Sequence, residues 1–107
     1  MIIYNKLVRD KIPDIIRKDN KECKTEILDD GRYAIELKKK FLEEMEEYQG
    51  ARSDEEAIEE LADILEILHA LAEVHGSDID SLEQVRREKA EKRGGFSDKV
   101  FLIGVKE

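Results

Sequence analysis

The chain has 107 residues, enough for a single domain (1–107) with one modest hydrophobic core. Charged residues make up 43% of it, 27 acidic against 19 basic, and the net charge of -8 argues against a nucleic-acid backbone as partner, which would call for a basic surface. No apolar run reaches membrane-spanning length and the first residues lack a signal-peptide pattern, so no membrane contact is expected and the expected setting is the cytoplasm.

In chain order, Asp10 is placed to cap a first short helix reaching about Asp19, with Pro13 tolerated in its first turn. Cys23 to Leu28 alternates weakly and reads as a short strand, closed by the turn signal Asp29-Asp30-Gly31. The single Cys23 has no partner for an internal disulfide and no metal-binding spacing, and reads as a small, partly buried side chain. A long helix is expected from about Arg32 to Gln49, stopped at Gly50. Ser53-Asp54-Glu55-Glu56 is a capping box that starts a further helix at Asp54, running to about His75 before Gly76. A fourth helix follows Ser77 or Asp78 and ends before Gly94-Gly95. The run Val100-Phe101-Leu102-Ile103 reads as a strand able to pair with the segment near Thr25. The expected fold class is mainly α, a four-helix-type bundle with a minor two-stranded β ribbon.

Acidic residues intrude on the apolar stripes of the two long helices. At roughly 100° per residue from Glu44, the apolar set Leu37, Tyr48, Phe41, Ala34 and Met45 lies at about 20 to 100°, with Tyr33 near 340° and Glu47 near 300°. The second helix repeats this arrangement from Glu60, with Leu71, Ile64, Ala57, Leu68 and Leu61 at about 20 to 100° and Asp63 near 300°. Packing the two helices together brings Glu44, Glu47, Glu60 and Asp63 to one edge of their interface. Four like charges there call for a cation. Hard oxygen ligands suit Mg²⁺ or Mn²⁺, whereas zinc would favour His or Cys. Mg²⁺ commonly shares its coordination with substrate phosphates, so an open carboxylate cage points toward phosphate chemistry. The plain alternative is a solvated acidic face, since Glu43, Glu46, Glu55, Glu56 and Glu59 surround these positions.

A di-iron bundle is a competing metal reading, because Glu66-Ile67-Leu68-His69 has the Glu-x-x-His spacing. Its helical phase places Glu66 near 240° and His69 near 180°, away from the apolar centre, and only one such motif exists. His69 therefore reads as a surface histidine and His75 as a partner for the helix C-terminal dipole.

Two basic segments could meet an anion. Tyr4-Asn5-Lys6-Leu7-Val8-Arg9-Asp10-Lys11 brings three cations to a helix start, where backbone donors also favour anions. Lys89-Ala90-Glu91-Lys92-Arg93-Gly94-Gly95-Phe96 delivers three more into a glycine turn. A basic last turn before glycine is also an ordinary helix ending.

Glu44-x-x-Glu47, twelve residues, then Glu60-x-x-Asp63 resembles the signature of the MazG-like all-α nucleoside triphosphate pyrophosphohydrolases. The flanking Leu42-Glu43-Glu44 and Glu59-Glu60-Leu61-Ala62-Asp63-Ile64 carry the same resemblance. The opening Tyr4 to Pro13 and the closing Lys92-Arg93-Gly94-Gly95-Phe96 are similar to a compact, phosphoribosyl-ATP pyrophosphohydrolase-like subgroup, so the likeness spans nearly the whole chain. It implies hydrolysis of a nucleoside triphosphate between the α and β phosphates. Glu44, Glu47, Glu60 and Asp63 would be Mg²⁺ ligands, with Mn²⁺ as a substitute, and the metal would neutralise the triphosphate and orient or acidify a water. Glu43 or Glu44 would accept that water's proton. Lys89, Lys92 and Arg93 form the first set of expected phosphate contacts, and Lys6, Arg9 and Lys11 the second. The family's bundles assemble as dimers or higher, so a homodimer or homotetramer is expected. The chain is shorter than full-length MazG proteins and has no second domain, which leaves the substrate open. Three functions remain: a pyrophosphohydrolase of damaged or non-standard nucleotides, a phosphoribosyl-ATP pyrophosphohydrolase of histidine biosynthesis, and a non-catalytic nucleotide-binding helical module. Tyr33, Tyr48, Phe41 and Phe96 are equally eligible to stack on a base.

Overall fold

The structure, a computed structural model, describes residues 1–106. It is mainly helical, with α1 (Ile12–Lys18), α2 (Asp30–Gln49), α3 (Asp54–Val74) and α4 (Ile79–Arg93), and no strand among the described residues.

Local chemistry sets each boundary. Pro13 sits in the first turn of α1, where a missing N–H costs nothing, but Asp10 does not cap this helix: Lys11 holds the cap position without a side-chain bond. The α2 helix starts two residues earlier than expected because Asp29 is the cap, its Oδ1 accepting from Arg32 N at 2.8 Å. The helix stops at Gly50, whose φ of -87° is open to any residue, so the glycine's freedom is not used there. Half of the expected capping box forms at α3. Ser53 Oγ accepts from Glu56 N at 3.1 Å, while the Glu56 carboxylate takes the N–H of Arg52, one residue before the position a full box would use. At the far end Gly76 turns the chain at φ +72°, with Ser77 N bonded to Ala72 O and Gly76 N to Glu73 O. This is the Schellman ending, which needs a left-handed residue. Asp78 then caps α4 by accepting from Ser81 N at 2.8 Å.

A short turn returns α3 antiparallel to α2, and these two helices form the main packing unit. Phe41 and Leu42 of α2 face Leu68 and Leu71 of α3 across a shallow apolar pocket at one end, and Leu37, Ile64, Ile67 and Ala72 are the buried apolar side chains. At the other end Glu44 meets Glu60 and Asp63. The α4 helix makes slight contact with α3, and α1 packs on no other helix. The four expected helices are all present in this mainly α fold, with α2 and α3 packed as a hairpin and α4 beside it.

The expected β ribbon is not formed. The segments around Cys23–Leu28 and Val100–Ile103 are irregular and unpaired, with Ile27 and Ile103 almost wholly exposed. Pairing them would order two segments without burying a face, so nothing offsets the conformational entropy lost. Cys23 is half-buried against the Pro13 carbonyl, in keeping with a packing role.

A candidate carboxylate metal centre

The site begins with helical phase. Glu44 lies on the α2 stripe that faces α3, and the burial of that stripe carries the carboxylate in with it: only 6% of Glu44 is exposed. Glu60 occupies the matching place on α3 and is half-buried. The Oε2 atoms of both residues are buried and accept no hydrogen bond. A buried carboxylate oxygen without a donor is costly, so the pair signals a missing proton or cation.

Two sets of ligand atoms converge around Glu44, each with its atoms within 4.8 Å of one another. One comprises Glu43, Glu44 and Glu47 on α2, and the other Glu44, Glu60 and Asp63 across the two helices. Glu44 is shared between them. All four expected ligands, together with Glu43, are therefore brought to one place. The set is exclusively carboxylate, the donor chemistry that Mg²⁺ and Mn²⁺ take. Glu44 and Glu60 supply the inner, donor-starved oxygens, Asp63 a half-buried one, and Glu47 an exposed one at the rim. The residues present fit a hard divalent cation.

The electrostatics agree. Glu60 has its carboxyl pKa raised from 4.5 to about 7, first by a shared hydrogen bond with Glu44, then by burial, and then by the negative charges of Glu47, Glu44 and Asp63. With both carboxylates ionised no donor lies between them; a proton on Glu60 provides one.

Cations hold the outer edge of the cluster. Arg9 Nη2 lies 2.6 Å from Asp63 Oδ1, and Lys6 Nζ 3.5 Å from Glu43 Oε1. Lys40 Nζ approaches Glu43 and Glu44 at 3.8 and 3.7 Å. Lys40 was assigned to no site by the sequence, although its i,i+3 and i,i+4 spacing to Glu43 and Glu44 was the signal that could have found it. The amino-terminal segment follows an irregular path with Asn5 in a left-handed conformation at φ +47°, Leu7 half-buried, and Lys6 over the Tyr4 ring.

The two basic segments therefore part company. Lys6 and Arg9, expected in second place, reach the cluster; Lys11 is exposed and makes no ion pair among the described residues. Lys89, Lys92 and Arg93, expected in first place, stand exposed at the end of α4 with no ion pair to the carboxylates. That follows from the slight contact between α4 and α3. His69 is half-buried and joins no ligand cluster, so the di-iron pattern is absent among the described residues. No helix is long and apolar enough to cross a membrane.

Comparison with protein-family models, curated proteins and solved structures gives no match to this chain.

Proposed function

We propose that this protein is a Mg²⁺-dependent nucleoside triphosphate pyrophosphohydrolase that releases pyrophosphate from non-standard or damaged nucleotides in the cytoplasm. The observation that carries this reading is the pair of buried, donor-less carboxylate oxygens on Glu44 and Glu60, set within a five-carboxylate cluster. Glu44, Glu47, Glu60 and Asp63 would hold the cation. Bound there, it would neutralise the triphosphate and make a water more acidic.

The remaining roles fall to the protein's own groups. Glu43 is a half-buried carboxylate beside Glu44 that two lysines touch, Lys6 and Lys40, and it is the proposed proton acceptor for the attacking water. Glu44, nine-tenths buried, serves as ligand and as the wall that fixes Glu60. Lys6 and Arg9 lead in phosphate binding, since they already reach the rim, with Lys11 beyond them. Lys89, Lys92 and Arg93 rank second. The working form is a homodimer or homotetramer.

Pyrophosphate release from a panel of standard and modified nucleoside triphosphates and phosphoribosyl-ATP, with Mg²⁺, tests this reading. The expected outcome is turnover of one or more triphosphates, abolished in Glu60→Gln and in excess chelator. Turnover of phosphoribosyl-ATP alone would assign the biosynthetic reaction. Nucleotide binding without turnover would assign a non-catalytic module, and undiminished activity in chelator would remove the cation from the mechanism.

A further inference from the structure

Three cations touch the carboxylate cluster, but they are not equivalent. Lys40 is tied to α2 one turn before its partners, so its charge is a fixed part of the helix surface. Arg9 arrives from a segment outside any helix, 54 residues away in sequence from its partner. It commits a single Nη2 to Asp63 at 2.6 Å, and no other hydrogen bond from this guanidinium exists among the described residues. A guanidinium carries five N–H donors in a planar fork. Arg9 therefore sits at the cluster with most of its donor capacity unused.

The pair is also placed to break. The Arg9 and Asp63 side chains remain 56% and 39% exposed, and ion pairs so open to solvent are held weakly. Asp63, in turn, belongs to the ligand set that contains Glu44 and Glu60, each of which has one carboxylate oxygen buried without a partner. A divalent cation held by Glu44, Glu60 and Asp63 would place two positive charges beside the guanidinium. Arg9 and such a cation would compete for Asp63.

We propose that Arg9 is an internal stand-in for the metal: it neutralises Asp63 in the metal-free protein and transfers its guanidinium to the triphosphate when the cation is bound. The proposal rests on the pyrophosphohydrolase reading and adds a coupling between its two ligands. A metal binding alone must displace Arg9 without compensation. A metal binding with nucleotide displaces it toward phosphate oxygens, which the guanidinium fork fits bidentately. Metal and nucleotide then strengthen each other's binding by the same factor. Lys6 on Glu43, at 3.5 Å and from the same segment, is positioned to move with it.

The test is calorimetric titration of wild type, Arg9→Gln and Arg9→Lys with Mn²⁺ alone, and with an α,β-methylene nucleoside triphosphate at saturating Mn²⁺. Arg9→Gln is expected to bind Mn²⁺ alone more tightly, and the analogue more weakly, by about fivefold or more in each direction. Arg9→Lys keeps the charge and loses the fork, so it should bind Mn²⁺ like wild type yet remain weakened toward the analogue. Unchanged or weaker Mn²⁺ binding by Arg9→Gln would make Arg9 a support for Asp63 and overturn the proposal, as would unchanged analogue binding. Wild type that takes up no Mn²⁺ would remove the metal site itself and this inference with it. Metal uptake with no pyrophosphate release would leave the coupling measurable and overturn the catalytic reading alone.

Discussion

Glu60 condenses the chemistry of the site into one side chain. Its carboxyl pKa lies near 7 instead of 4.5, because Glu44 shares a hydrogen bond with it and because Glu47 and Asp63 add negative charge to a partly enclosed space. Between those two values the native protein binds a proton that the unfolded chain does not. The stability it confers is therefore complete below about 4.5 and is lost as pH rises through about 7. The metal-free protein should accordingly melt at progressively lower temperature as pH is raised from about 5 to about 8. Saturating Mg²⁺ should flatten this decline and release protons into weakly buffered solution, since a cation replaces the proton. Glu60→Gln, which keeps the shape and the donor, should flatten it too. A wild-type melting profile independent of pH in chelator would show that the two carboxylates do not share a proton. Glu44 and Glu60 were legible in the sequence because helical phase is: carboxylates within apolar stripes are drawn in when the stripes are buried. Arg9 was legible only as part of a basic segment. Its pairing with Asp63 joins an irregular stretch to a helix far along the chain, and no periodicity encodes such a contact.

At the level of elements, the structure depends on one helix pair, and its sensitivity to mutation should be uneven. Leu37 is the most buried side chain of the α2–α3 interface. Leu37→Ala should cost about 2–5 kcal/mol, through lost transfer energy and the cavity left behind. That is a large share of the total for a domain of this size, so the variant should be partly unfolded at 37 °C by circular dichroism. Ser53→Ala removes only the cap bond to Glu56 N and should cost about 1 kcal/mol in the same melts. Equal costs would mean that α3 is held by its own helix propensity and not by packing. Caps and glycines explain which boundaries could be read. Ser53 and Asp78 are local devices, each completed within three residues, and they act where the sequence places them. Asp10 has the right residue type for a cap and does not act as one, because α1 starts later, with Ile12 N bonded back to Arg9 O. The two strands were misread for a different reason. Val100–Ile103 and Cys23–Leu28 have strand-like composition, but β structure depends on a partner surface, and the chain offers these segments none.

The whole molecule is too open for its mass. Its radius of gyration is 18.3 Å, against about 13 Å for a compact domain of this length. Its accessible surface of 10050 Å² exceeds by roughly 3,900 Å² what a folded monomer of 12.4 kDa exposes. Many large apolar side chains are exposed, and several of them are patterned. Ile58, Leu61 and Leu65 recur at i, i+3 and i+7 on the open side of α3, Ile35 and Leu42 stand out from α2, and both chain ends carry exposed apolar runs at Met1–Tyr4 and Val100–Ile103. A stripe at helical spacing is what another helix covers, and a standard interface needs only about 800 Å² from each partner. A second copy of this chain is the simplest occupant, because the same hairpin set against itself about a two-fold axis would complete a four-helix bundle. We therefore expect light scattering at micromolar concentration to give the mass of a dimer or tetramer. Leu61→Asp combined with Leu65→Glu places charge on that stripe and replaces none of the cluster's carboxylates. The double variant should shift the mass toward monomer and lower the melting temperature, and the wild-type melting temperature should rise with protein concentration, since association stabilises the native state by mass action. A monomeric wild type whose melting temperature does not change with concentration would refute the assembly.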